Sequence, residues 1–173
     1  MTSSPKLYLG DLHDTPLGDF RFAVSDLGLV AVEWADNQPK LDAYLQKIKH
    51  PFEVNQKKAA PYARELHEYL NGMRTDFTIS IDWSDFTSFQ CKALQAVCRI
   101  PYGETRTYID IAREINHPNA YRAVGAANAM NPMPIVVPCH RLLGKDGKLH
   151  GYGGMGGLKT KRWLLKMEGS IAA

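Results

Sequence analysis

Three residues that could carry out chemistry together stand side by side in this chain of 173 residues, at Cys139, His140 and Arg141. A thiol is only a few per cent ionised at neutral pH, and its thiolate is the nucleophile. A reactive cysteine therefore needs a base or a positive charge nearby, and His140 and Arg141 are residues of those two kinds. We predict that Cys139 is a nucleophile, whereas for Cys91 and Cys98 we expect small core residues.

A nucleophile and its base usually depend on a third group that orients the base. Neighbouring side chains of an extended strand point to opposite faces, so Cys139 and His140 can cooperate only through a helical turn or a bridging water. Glu168 follows two leucines in the last predicted helix. We expect its carboxylate to orient the His140 imidazole.

The residues before this cluster divide into two halves with different patterns. Up to Trp34, apolar and polar residues alternate in three stretches, which predicts a three-stranded meander. Apolar residues at helical spacing follow between Ala60 and Leu70. Because no cluster of catalytic residue types occurs in residues 1–85, we predict a scaffold domain there.

Residues 86–173 have the pattern of a mainly helical domain, and this domain carries Cys139. Helix caps are expected at Ser84-Asp85, at Thr107 with Asp110 in capping-box spacing, and at Asn119. The second and third helices are short and joined by a tight turn, which is the outline of a helix-turn-helix.

The net charge also differs between the two halves. Residues 1–85 hold 9 Lys and Arg against 13 Asp and Glu, and residues 86–173 hold 12 against 5, so the halves carry −4 and +7. A basic half indicates an anionic partner such as nucleic acid, although a solvated basic surface explains the charge equally well. The helix after Asn119 is mostly alanine and glycine around Arg122, which favours either close helix packing or close approach to DNA.

Composition excludes several classes of protein. With 45% hydrophobic and 23% charged residues the chain is globular. We expect no secretory leader, because the first thirty residues contain no apolar stretch after a basic start, and no apolar run approaches the roughly 18 residues of a membrane span. Three cysteines without CxxC spacing exclude a disulfide framework or a zinc ribbon, so we expect a reduced, cytoplasmic protein. The G-x-G-x-x-G match at Gly151 lacks a βαβ frame and does not indicate dinucleotide binding.

Several motifs together resemble one family, the O6-alkylguanine-DNA alkyltransferases, also called methylated-DNA–protein-cysteine methyltransferases. The similar segments are Arg122 to Ala127, Asn131-Pro132, Ile135 to Arg141 and Trp163 to Gly169, with Gly103-Glu104 and Tyr108 in addition. The resemblance is specific over roughly residues 86–169. It implies an α+β fold, in which a small sheet-plus-helix domain of the RNase H-like kind precedes a mainly helical DNA-binding domain with a helix-turn-helix.

The resemblance also implies an activity: direct-reversal repair, in which O6-alkylguanine or O4-alkylthymine is flipped out of duplex DNA. Cys139 would take the alkyl group irreversibly and act once, His140 would accept the thiol proton through a water, and Glu168 would orient His140. Tyr108 would donate a hydrogen bond or proton to the leaving guanine, and Asn131 would hold the turn that presents the cysteine.

The remaining implied roles concern DNA and the pocket. Arg122 would enter the base stack in the minor groove, and the other expected DNA contacts are Tyr108, Ala123, Ala126 and Ala127. The expected pocket walls are Pro134, Tyr152, Gly153 and Met155. No cofactor, no metal and no membrane are expected, and the partner is double-stranded alkylated DNA bound by a monomer. The glycine-rich loop 151–157 is longer than is usual in the family, and we hypothesise that it alters tolerance of bulky adducts.

Three other functions remain open from the sequence. A non-enzymatic lesion sensor would bind the same flipped base, but such proteins lack the reactive cysteine. A cysteine hydrolase would use Cys139 and His140 to turn over an acyl substrate. A plain helix-turn-helix regulator would bind undamaged DNA sequence-selectively and would not need Cys139.

Overall fold

The computed structural model describes residues 4–171, which form two compact units that divide between Asp85 and Phe86. Within residues 4–171, no helix is long and apolar enough to cross a bilayer. The elements of the first unit are β1 (Leu7–Thr15), β2 (Gly18–Val24), β3 (Leu29–Trp34), α1 (Gln38–Ile48), β4 (Phe52–Val54) and α2 (Gln56–Leu70).

The predicted meander is present as an antiparallel sheet of β1, β2 and β3. The short strand β4 was not predicted; it pairs in parallel with β1 and gives the sheet order β3-β2-β1-β4. Every residue of β3 is buried, whereas β4 is exposed along its length. Helix α2 contributes Leu66, Tyr69 and Leu70 to the core of this unit.

The helix predicted from Ala60 begins earlier, at Gln56, and ends at Leu70 as expected. Its first turn is polar, so apolar spacing gave no signal there. The start is marked instead by Asn55, whose side chain accepts a hydrogen bond from the backbone N–H of Lys58 at 3.1 Å. Helix α1 was also missed, because it buries only Leu41 and Leu45.

The second unit is mainly helical, with one short two-stranded parallel pair. Its elements are α3 (Ser88–Cys98), β5 (Arg106–Thr107), α4 (Tyr108–Glu114), α5 (Tyr121–Ala129), β6 (Leu142–Leu143) and α6 (Leu158–Met167). Helices α4 and α5, joined by a tight turn in which the N–H of Ala120 bonds the carbonyl of His117 at 2.8 Å, form the predicted helix pair.

The helix caps in the second half agree with the sequence at one of three places. Thr107 and Asp110 form the predicted capping box of α4. The cap expected at Ser84-Asp85 is wrong: the hydroxyl of Ser84 bonds Asp82 and Asp85 bonds His50, and Thr87 caps α3 through a capping box with its own partner, Gln90.

Two further expectations fail in this unit. The N-cap of α5 is Ala120 rather than Asn119, and no side chain caps that helix. On α3, Cys91 is half-buried and Cys98 is exposed, so they are not the small core residues that were expected. The buried side of α3 consists of Ala93, Leu94, Ala96 and Val97.

Candidate active site

Cys139 begins a single 3-10 turn that runs to Arg141 at the end of a buried segment. The turn is closed by a hydrogen bond from the N–H of Arg141 to the carbonyl of Pro138 at 2.9 Å. Cys139 is 9% exposed and His140 is fully buried. The chain therefore has a turn here rather than an extended strand, which is one of the two arrangements through which the sequence allowed these residues to cooperate.

Asn131 fixes the position of the cysteine. Its side-chain amide donates to the carbonyl of Val137 at 3.1 Å and to Sγ of Cys139 at 3.5 Å, while its oxygen accepts from the N–H of Met133 at 2.9 Å. An N–H that donates to sulfur favours the thiolate over the thiol. Asn131 thus combines a structural contact with one that can activate the nucleophile.

Glu168 lies against His140 as expected. Nε2 of His140 is 2.7 Å from Oε1 of Glu168, and both side chains are fully buried. Burial lowers the pKa of His140, and the opposing effect of the Glu168 carboxylate does not reverse the shift. The imidazole is therefore neutral at physiological pH and able to accept a proton.

The guanidinium of Arg141 is turned towards Glu168. Nη2 lies 2.9 Å from Oε1 and Nε lies 3.0 Å from Oε2 of that carboxylate, and Nη1 donates to the carbonyl of Ile100 at 2.6 Å. A buried carboxylate needs such partners to stay ionised. Arg141 therefore maintains the negative charge that Glu168 presents to His140.

A cavity of about 420 Å³ opens beside the cysteine. Its size is at the lower end of the range for small-molecule sites. The lining residues are Tyr108, Gly125, Asn128, Ala129, Cys139, His150, Gly151, Tyr152 and Gly153. The pairing of β5 with β6 aligns Thr107 with Leu143. It thereby brings Tyr108, at the start of α4, close to the turn that holds Cys139.

Tyr108 is the first residue of α4 and lies on the cavity wall. Burial, and the negative charge of a Cys139 thiolate nearby, raise the pKa of Tyr108. Its hydroxyl therefore keeps its proton over the physiological range and can act as a hydrogen-bond donor within the cavity.

The structure places the other expected pocket residues differently. Tyr152 and Gly153 line the cavity, whereas Pro134 and Met155 are not among the described residues that line it. Pro134 is buried in a bridge to Val137, and Met155 is 39% exposed on the glycine-rich loop.

Helix α5 presents most of the residues expected to contact DNA. Arg122, Ala123 and Ala126 are exposed, but Ala127 is only 5% exposed. Ala127 lies three residues after the buried Val124, and helical spacing puts both on the inward side. It is therefore not part of the outward surface on which the sequence placed it.

A buried lysine is the main site feature that the sequence did not reveal. Nζ of Lys161 donates to the carbonyls of Leu142, His150 and Gly151 at 2.5, 3.0 and 3.3 Å, and burial lowers the pKa of Lys161 to about 8. The only available signal was its helical spacing to Leu164 and Leu165, which places Lys161 on the buried face of α6.

Two family models together match most of the chain. The model described as "6-O-methylguanine DNA methyltransferase, ribonuclease-like domain" matches residues 8–83, and the one described as "6-O-methylguanine DNA methyltransferase, DNA binding domain" matches residues 88–170. The predicted α+β fold, with an RNase H-like first domain, is thereby confirmed.

Individual relatives agree with the family models. The methylated-DNA–protein-cysteine methyltransferase of Methanosarcina barkeri is 39% identical over 158 residues, which are 91% of this chain and 95% of that protein. The crystal structure of Mycobacterium tuberculosis OGT in complex with DNA superposes on this chain with a TM-score of 0.79 at 34% identity. The match covers 94% of this chain and 93% of the M. tuberculosis chain. This chain belongs to the methylated-DNA–protein-cysteine methyltransferase family.

Proposed function

We propose that this protein repairs O6-alkylguanine in duplex DNA by transferring the alkyl group to Sγ of Cys139, once per molecule. The observation that carries the proposal is the arrangement behind the cysteine. Sγ borders a cavity, and a buried chain of hydrogen bonds runs from His140 through Glu168 to Arg141. Such a chain serves proton removal from a nucleophile.

The transfer is a displacement at the alkyl carbon. A bond forms from Sγ of Cys139 to that carbon as the bond from the carbon to O6 breaks, and the electron pair passes to the guanine. Nε2 of His140 is engaged with Glu168, so Nδ1 would take the thiol proton through a water. Tyr108 donates its hydroxyl proton to the guanine ring, and the proton held by the His140 imidazolium restores the Tyr108 phenol, so that one proton in total passes from the thiol to the guanine. The product is a thioether, which no proton transfer reverses.

The proposed DNA surface is the outward side of α5. Ala123 and Ala126 are small and exposed, which allows the helix backbone to approach the minor groove closely. Arg122 is the long exposed side chain on this side, and we assign it the space left by the flipped base, where it offsets part of the few kcal/mol lost on unstacking. The similarity to M. tuberculosis OGT, whose structure is a complex with DNA, supports this partner.

The rest of the proposal concerns the domains and the setting. Residues 1–85 serve as scaffold, and residues 86–173 bind DNA and accept the alkyl group. We propose that the protein acts as a monomer and without a cofactor. We place it in the cytoplasm, because Cys139 must remain a reduced thiol to react.

Lesion loss from the DNA tests the proposal. A duplex with one O6-methylguanine is mixed in excess with the protein, and the remaining lesion is quantified over time. We expect repair to stop at one lesion per chain, to be absent in Cys139→Ser, and to be unchanged in Cys91→Ser. Continued loss beyond one equivalent contradicts single use. Lesion-selective binding without loss indicates a sensor, and selective binding of undamaged sequence indicates a regulator.

A further inference from the structure

A histidine to which the proposed reaction gives no role lies at the mouth of the cavity. His150 lines the same cavity as Cys139, and its side chain is 56% exposed. The ring therefore borders solvent on one side and the cavity on the other. An imidazole in that place contacts a substituent that enters the cavity.

The imidazole of His150 is held in one position by its neighbours. Nε2 lies 2.9 and 3.1 Å from the two carboxylate oxygens of Asp146, and Oδ1 of Asp146 also accepts from the N–H of Lys148 at 3.0 Å. The ring packs directly over Gly144, where an added Cβ would lie 2.1 Å from Cδ2 of His150. Glycine is thus required at that position if the ring is to lie as it does.

The backbone of His150 is fixed as well. Its carbonyl and that of Gly151 both accept hydrogen bonds from Nζ of the buried Lys161, at 3.0 and 3.3 Å. The bonds to Lys161 thus fix where the side chain begins, and the bonds to Asp146 must break before the ring can swing aside.

Four of the other lining residues are too small to make room by moving a side chain. Gly125, Ala129, Gly151 and Gly153 contribute almost no side chain to the lining. The volume of about 420 Å³ is at the lower end of the usual range, so a larger substituent needs space from a bulky side chain. Among the larger lining side chains, Tyr108 and Tyr152 are half-buried and Asn128 is buried, whereas His150 is exposed and so lies at the opening.

We propose that His150 is a specificity-determining residue that limits the size of the O6 substituent admitted to the cavity, with Asp146 as the positioning residue that holds its ring. This inference rests on the proposed function. A methyl group reacts whether or not the imidazole is present, whereas a benzyl group is slowed by it.

The test compares single-turnover rates of the full chain with O6-benzylguanine and O6-methylguanine in the same duplex. We expect His150→Ala to raise the benzyl-to-methyl rate ratio about tenfold, which corresponds to about 1.4 kcal/mol. His150→Phe keeps the bulk but loses the bond to Asp146, so it should raise the ratio by less than His150→Ala does. Lys148→Ala alters the same turn outside the cavity lining and serves as the matched control.

The outcomes distinguish a limit on substituent size from a proton-transfer role of His150 and from failure of the proposed function. An unchanged ratio in His150→Ala, with methyl transfer intact, overturns the size limit and leaves the proposed function standing. Equal slowing of both substrates in His150→Ala, with a displaced pH profile, makes His150 a proton carrier and also overturns it. Absence of methyl transfer in the unaltered protein contradicts the proposed function itself.

Discussion

The most informative substitution is Glu168→Gln, because Glu168 is shared by the proposed base and by a buried arginine. Its Oε1 accepts from Nε2 of His140 at 2.7 Å and from Nη2 of Arg141 at 2.9 Å. The amide keeps the shape of the side chain but removes its charge. The guanidinium of Arg141, which is only 8% exposed, is then left without its counter-ion.

The expected loss of stability follows from that burial. Removal of one partner from a buried ion pair costs about 3–5 kcal/mol. The matched control is Glu114→Gln, which removes the charge from an exposed pair with Arg99 at 2.7 Å. Exposed pairs contribute at most about 1 kcal/mol. Glu168→Gln should therefore cost at least about 2 kcal/mol more than Glu114→Gln, a difference of roughly 30-fold in the unfolding equilibrium.

The assay is urea unfolding of the full chain, in which hydrogen exchange of peptides from residues 86–173 reports the unfolding of this unit. The rate of methyl transfer is measured separately for each variant. We expect Glu168→Gln to slow transfer strongly as well as to destabilise. The double variant Arg141→Met with Glu168→Leu buries no charge, so it should regain most of the stability but not the transfer. If Glu168→Gln is no less stable than Glu114→Gln, or if the double variant transfers methyl normally, the reasoning is refuted.

Three further predictions concern the reaction, the DNA and the response to acid. Tyr108→Phe should slow transfer by about 10²- to 10⁴-fold in single-turnover assays while gel-shift binding of the duplex persists, because only a proton donor is lost; unchanged transfer would contradict its role. Arg122→Ala should slow repair of duplex lesions but not reaction with free O6-benzylguanine, which needs no extrusion, and equal slowing of both would remove Arg122 from that step. Burial holds the pKa of His140 below its usual 6.5, so the unfolded chain binds the proton more readily, and the free energy of unfolding falls as pH drops from about 6.5 towards the folded pKa. In urea titrations at several pH values, His140→Asn should flatten this part of the dependence of stability on pH. The opposite contribution of His13, whose pKa is raised by Asp19, stays the same in both proteins.

Local patterns in the sequence were sufficient where the contacts are local. The capping box of Thr107 with Asp110 is such a case, because both partners lie within one helical turn. The cap expected at Ser84-Asp85 failed because Ser84 bonds Asp82, two residues before it, and Asp85 bonds His50, which is distant in sequence. A cap is a competition among partners, and the sequence does not show which partner prevails.

The candidate site shows the same division. The pairing of His140 with Glu168 could be expected from residue types alone, since a base needs a carboxylate. The partners of Arg141 and of Lys161 could not, because a guanidinium or ammonium group can bond any carboxylate or carbonyl that the fold brings near. The absence of Pro134 and Met155 from the described lining of the cavity likewise depends on the path of the backbone in three dimensions, which residue spacing does not encode.

The central claim, that the alkyl group ends on one particular sulfur, is tested most directly by the mass of the intact protein. The protein is incubated with a duplex that carries one O6-methylguanine, its mass is recorded, and its peptides are mapped. We predict a gain of one methyl group per chain, located on Cys139 and absent from Cys139→Ser. A methyl group on Cys91 or Cys98, or no gain in mass while the lesion disappears, would contradict the account.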